Sequence, residues 1–226
     1  MTTVTIRAGR ALLTGDLLVP ADARGLVVFA HGSGSSRLSP RNREVADGLV
    51  AEGFATLLFD LLTRDEELAE RLTRHLRFDI PLLADRLVET VRWTAQQPNL
   101  AELPIGLFGA STGAAAALIA AARLRQMHGP EIRAVVSRGG RPDLAGSVIR
   151  HVAAPTLLIV GGADVEVLAL NRQVLDKLTA PAALHVVPGA GHLFEEPDAL
   201  HEVTGVAAQW FRSNLISPAQ YSDARL

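Results

Sequence analysis

The chain contains no cysteine. That excludes disulfide scaffolds, thiolate zinc sites, iron–sulfur clusters and a thiol nucleophile. It contains one lysine, Lys177, in an ordinary helical pattern, so Schiff-base chemistry has no other residue to use. Charge of one sign is also lacking: the net charge is −2, with no basic excess to neutralise a phosphate backbone. Nucleic acid is therefore not expected as a partner. No apolar run reaches the ~20 residues of a membrane span. The opening MTTVTIRAGR has no apolar signal core, so a cytoplasmic location away from membranes is expected. There is no HExxH motif and the seven histidines are scattered, so no metal is expected.

What is present is an alternation of two periodicities over 226 residues, 48% of them apolar. A single domain over 1–226 is expected, because no Pro-, Gly- or Ser-rich linker divides the chain. Thr3–Arg7 and Ala11–Val19 read as a hairpin around Gly9. Gly25–Ala30, Ala55–Leu61, Ile105–Phe108, Ala134–Ser137, Thr156–Val160 and Ala183–Val187 are short apolar runs, expected as strands covered on both faces. Between them, Arg41–Glu52, Pro81–Gln96, Thr112–Met127, Val167–Leu178 and Ala199–Asn214 repeat near 3.6 residues, as helices do. The expected class is α/β: three layers, a mostly parallel sheet with helices on both faces and an N-terminal antiparallel hairpin.

The chemistry sits at strand ends. Gly109-Ala110-Ser111-Thr112-Gly113 follows a strand and opens an alanine-rich helix, the context of a nucleophile elbow. Small residues are required at 109 and 113, where a side chain would strike the neighbouring strand or helix. Ser111 is the candidate nucleophile, and serine needs a base. Asp164 follows the strand Thr156–Val160, and His192 follows Ala183–Val187 on a glycine-rich loop. Ser111, Asp164 and His192 thus stand at three strand ends in the order Ser, acid, His. Asp164 could instead cap the helix near Val167. The loop His31-Gly32-Ser33-Gly34-Ser35-Ser36 follows an earlier strand, and the backbone N–H groups of Ser33 and Thr112 are the expected oxyanion donors. His31 is expected to brace that loop. His75, His128, His185 and His201 carry surface or packing readings. A dinucleotide-binding reading of Gly32–Arg37 with Asp60 fails on two points: Arg37 replaces the third glycine, and Pro40 delays the helix.

The segments VVFAHGSGSS, FDLLT, GLFGASTGAAAAL, VVSRGGRPDLAG, APTLLIVGGADVEVLALN and VVPGAGHLFEEP resemble the α/β-hydrolase superfamily, in particular small dienelactone-hydrolase-like proteins without a cap domain. The resemblance covers most of the chain in matching order. It implies the triad Ser111, Asp164, His192, the oxyanion amides of Ser33 and Thr112, and no cofactor. Dienelactone hydrolases proper use a cysteine where this chain has Ser111, which points away from strict lactone specificity toward general ester chemistry. A serine hydrolase of small carboxylic esters or lactones is the expected function. Acyl transfer by the same triad and a non-catalytic binding protein on the same fold are the alternatives. Two further segments bear on substrate. Leu62–Phe78 is the only candidate cover, a solvated helix or lid by its charges. Arg138, at the end of Ala134–Ser137, is expected either to bind an anionic group of the substrate or to brace its loop by pairing with an acid such as Asp143.

Overall fold

The computed structural model describes residues 1–216; residues 217–226 of the expected domain lie outside the described residues. Eight strands form one sheet in the order β1-β2-β4-β3-β5-β6-β7-β8. The strands are β1 (Thr2–Ala8), β2 (Ala11–Leu18), β3 (Leu26–Ala30), β4 (Ala55–Phe59), β5 (Ile105–Ala110), β6 (Ile132–Arg138), β7 (Thr156–Gly161) and β8 (Ala182–Val187). The hairpin β1–β2 is antiparallel, and β2 joins β4 antiparallel. From β4 to β8 every pairing is parallel. Ala8 pairs with Ala11, and Gly9 takes the positive φ of 63° that this tight turn requires.

The helices are α1 (Pro40–Ala51), α2 (Arg64–Thr73), α3 (Ile80–Thr94), α4 (Thr112–Gln126), α5 (Val165–Leu175) and α6 (Ala199–Leu215). Period-two alternation within the buried strands divides the core. In β3, Leu26, Val28 and Ala30 face the layer holding α3 and α4, and Val27 and Phe29 face the layer of α1 and α6. That is why the run Leu26–Ala30 is apolar throughout. Helix α4 is buried at every residue from Thr112 to Ala122, and its alanines allow close approach to the sheet. On the other face, the rings of Phe29 and Phe108 meet across β3 and β5 at 4.8 Å.

Two expectations need correction. Ala183–Val187 belongs to β8, which has a helix on each face but is covered only in part. It is one of the two edge strands, paired only with β7, and only Val187 is fully buried. Leu184 and Val186 pack toward α5, Ala183 and Val187 pack toward α6, and His185 pairs with Glu202 of α6. The strand expected to reach Leu61 ends at Phe59. Beyond it the Asp60 carboxylate accepts from Arg37, and the Leu61 N–H donates to His31.

Between β6 and β7 lies only a 3-10 segment, Pro142–His151, so no cap domain is inserted there. Leu62–Phe78 forms α2 and a 3-10 turn, Leu76–Phe78. Thr63 and Glu66 form a reciprocal capping box that starts α2. The segment is less polar outwardly than its charges suggest, because Leu68, Leu72 and Phe78 are exposed.

Candidate active site

The elbow at the end of β5 is built from close contacts that only glycine permits. A Cβ on Gly109 would lie 2.5 Å from Ala114 Cα, and one on Gly113 would lie 2.1 Å from the Ala30 carbonyl oxygen. Ser111 itself sits at φ 50°, ψ −122°, a conformation a side chain rarely adopts. Neighbouring backbone holds it there. Its N–H donates to the Arg138 carbonyl (3.2 Å), and its own carbonyl accepts from the Arg141 N–H (3.0 Å).

Asp164 is the residue before α5, but its side chain makes no capping bond. Instead it accepts from His192 Nδ1 at 2.7 Å. A carboxylate can only accept, so the Nδ1 proton is fixed and Nε2 is left as the acceptor. His192 is 40% exposed and its partner Asp164 16%. Ser111 and His192 line the same cleft of about 220 Å³, together with Gly32, Ser33, Arg41, Asn42 and Arg138. A larger surface groove near Arg125 and Pro155 includes none of these residues.

The loop after β3 presses on the elbow: a Cβ on Gly32 would come within 2.9 Å of Ser111 Cβ. His31 braces it as expected. It is buried, donates from Nδ1 to the Gly32 carbonyl (2.9 Å) and accepts the Leu61 N–H at Nε2 (3.1 Å). Burial pushes its pKa below the ordinary histidine value, against the smaller effects of the Gly32 bond and the Asp60 charge. At the other end of the loop, Arg37 gives both its N–H (2.8 Å) and its guanidinium (2.7 Å) to Asp60. Consecutive residues of one strand end, Asp60 and Leu61, therefore hold both ends of the loop. This also removes Asp60 from any ribose-binding role.

The two expected oxyanion donors differ. Thr112 is the first residue of α4, at the positive end of the helix dipole. The Ser33 N–H already donates to Thr112 Oγ1 at 2.9 Å. The spacing of the loop carries no sign of that bond.

Arg138 is the last residue of β6 and is 8% exposed. It does not pair with Asp143, whose carboxylate is taken by Arg141 in two bonds of 2.9 Å. Arg138 Nη2 donates to Asn42 Oδ1 (3.2 Å), its guanidinium lies 5.8 Å from the Phe194 ring centroid, and Nε and Nη1 have no acceptor among the described residues. Burial, then the charge of Arg41, lowers its pKa to about 10. Asn42 and Arg41 were not singled out by the sequence, where they read as one turn of an amphipathic helix.

A family model, the dienelactone hydrolase family, matches residues 13–214, and the chain belongs to that family. Among solved structures, a dienelactone hydrolase from Anabaena variabilis is 53% identical, with a TM-score of 0.91, covering 95% of this chain and 97% of its own. Est1E from Butyrivibrio proteoclasticus shares the fold at 16% identity, with a TM-score of 0.76 over 93% of this chain and 98% of its own. Two Mycobacterium tuberculosis proteins, provisionally named phosphoribosyl transferases, are 55% identical over 95% of this chain and 47% of their own length. The chain thus spans about half the length of these curated relatives. Among the described residues no helix is long and apolar enough to cross a membrane, and no group of three or more His, Asp or Glu is arranged to hold a metal.

Proposed function

We propose that the chain is a serine hydrolase of small carboxylic esters or lactones. The observation that carries the reading is the Asp164–His192 bond at the mouth of the cleft that Ser111 lines. With Nδ1 held by Asp164, His192 Nε2 takes the proton of Ser111 as Oγ attacks the carbonyl carbon. The tetrahedral oxyanion takes the Thr112 N–H and the Ser33 N–H, the latter shared with Thr112 Oγ1 or freed by rotation of that hydroxyl. His192 then protonates the leaving alkoxide as its bond to carbon breaks. Water, giving a proton to His192, attacks the acyl-Ser111, and His192 returns that proton to Ser111 Oγ as the bond to carbon breaks and the acid is released. Among the described residues Ser111 and His192 make no hydrogen bond, and such bonds often tighten only with substrate present.

The name of the Anabaena relative supports ester or lactone cleavage at 53% identity. The name of the mycobacterial relatives belongs to proteins about twice this length and is not carried over to this chain. The test is labelling by a fluorophosphonate together with short-ester hydrolysis. Ser111→Ala should abolish labelling and lower kcat by roughly 10³-fold or more while the fold survives. Labelling that persists in Ser111→Ala, or turnover near that of the parent, overturns the reading.

A further inference from the structure

We propose that the cleft beside Ser111 contains a built subsite for a phosphate-class dianion, formed by Arg138, Arg41, Asn42 and the N-terminal end of α1. Its occupant, on the hydrolase reading above, is the phosphate group of a small phosphorylated ester or lactone.

Arg138 is a desolvated cation with no counter-ion among the described residues. Its one hydrogen-bond partner is a neutral amide, Asn42, and two of its three nitrogens have no acceptor among the described residues. A buried charge without a partner is costly, and such groups call for a specific explanation. The carboxylate nearest in sequence, Asp143, is already committed to Arg141. Nε and Nη1 are closed off from solvent, so an anion entering the cleft would supply the missing counter-charge at the edge of the guanidinium that borders it, beside Asn42.

The end of α1 points the same way. Ser39, Arg41 and Asn42 all line the cleft. The Ser39 side chain caps α1 by accepting the Asn42 N–H. No acidic residue occupies the first turn. A cation, Arg41, stands there instead, against the usual preference for negative charge at a helix start. A bound anion would reverse that disadvantage. The residues between β3 and α1 carry the helix start away from the strand end, where a dinucleotide would need it, and onto the Ser111 cleft.

Two guanidinium groups favour a dianion over a carboxylate. Arg41 lies close enough for its charge to lower the pKa of Arg138, so the two repel. Among the described residues the one counter-charge paired with Arg41 is Glu195, at 3.1 Å and 66% exposed, where solvent weakens the pair. A phosphate monoester carries about −1.5 to −2 at neutral pH and has three acceptor oxygens. A carboxylate neutralises only one of the two cations. The volume of about 220 Å³ accommodates a phosphate on a short tether and is small beside the 300–1,000 Å³ typical of drug-sized ligands.

The first measurement is binding of inorganic phosphate to Ser111→Ala by calorimetry, which does not depend on turnover. Saturable binding is expected, weakened about tenfold or more by adding Arg138→Gln and tighter than binding of acetate at equal ionic strength. The second compares three short esters of matched size bearing a neutral, a carboxylate or a phosphate substituent. The phosphate ester should lead the neutral one in kcat/KM by about 10- to 100-fold, and Arg138→Gln should remove the lead chiefly through KM. If Arg138→Gln does not fold, Arg41→Gln at a half-buried position should weaken both readouts about three- to tenfold. Absence of saturable phosphate binding, binding indifferent to both substitutions, or a preference for the carboxylate or neutral ester overturns the proposal. Phosphate binding without cleavage of any ester leaves the subsite standing and removes the hydrolase reading. Cleavage without phosphate binding does the reverse.

Discussion

The carboxylate of Asp164 accepts the Nδ1 proton of His192 at 2.7 Å, although Asp164 stands where it could have capped α5. The first turn of α5 goes without that cap, which is worth about 1 kcal/mol in ordinary helices. The side chain is turned instead toward the loop after β8. Asp164→Asn should therefore lower kcat about 10³- to 10⁴-fold, because an amide can donate to Nδ1 and stabilise the wrong tautomer. Steady-state kinetics on a short ester check this. A modest loss, within about tenfold, would show that the bond only braces the loop.

Acyl length should matter in one direction. A cleft of about 220 Å³ cannot enclose a long chain. Each CH₂ left in water forgoes about 0.8 kcal/mol of burial. Among unbranched esters, kcat/KM should be highest at two to four acyl carbons and should not rise toward twelve. A rise would mean that Leu68, Leu72 and Phe78, exposed on the α2 segment, close over the chain.

His31 makes stability depend on pH. Its pKa is lowered in the folded protein, chiefly by burial, so it stays neutral while an unfolded chain protonates near ~6.5. The unfolded state then binds more protons, and stability falls as pH drops below that value. The slope is at most about 1.4 kcal/mol per pH unit for this one group. Denaturant melts between pH 7.5 and 5.5 should show the loss. His31→Gln should be less stable at pH 7.5, because the brace is weakened, but its profile should be flatter by that slope.

Glu70 also loses stability as pH falls, but here the charged form is the one the fold favours, and the window is more acidic. Burial alone would raise its pKa, but the Arg77 guanidinium and the amides of Leu76 and Arg77 outweigh it and hold it at about 2. Its contribution is present above the ordinary value of 4.5 and is lost as pH falls from there toward 2. Amide exchange at Leu76 and Arg77 should therefore lose protection over that window. Glu70→Gln should show the same loss at neutral pH.

Much of the fold was legible because its signals are local. Apolar runs such as Leu26–Ala30 mark strands buried on both faces, and the glycines at 109 and 113 mark a turn too tight for any side chain. The edge position of β8 was not legible: a strand with one neighbour can carry the same apolar residues as one with two. The fate of Arg138 was also open, since sequence allowed a pairing with Asp143 that Arg141 in fact makes.

The sequence by itself determined the alternation of strands and helices, the elbow at Ser111, and the order in which Ser111, Asp164 and His192 reach their strand ends. Periodicity and steric exclusion act within a few residues, so they can be read along the chain. Only the tertiary structure decided that the side chain of Asp164 bonds to His192 rather than capping α5, that the Ser33 amide meets the Thr112 hydroxyl, and that Arg138 lies with Asn42 and Phe194 and has no counter-charge among the described residues. Those contacts join residues 28 to 96 positions apart. They follow from strand register and from where each helix lands on the sheet, which no local pattern encodes.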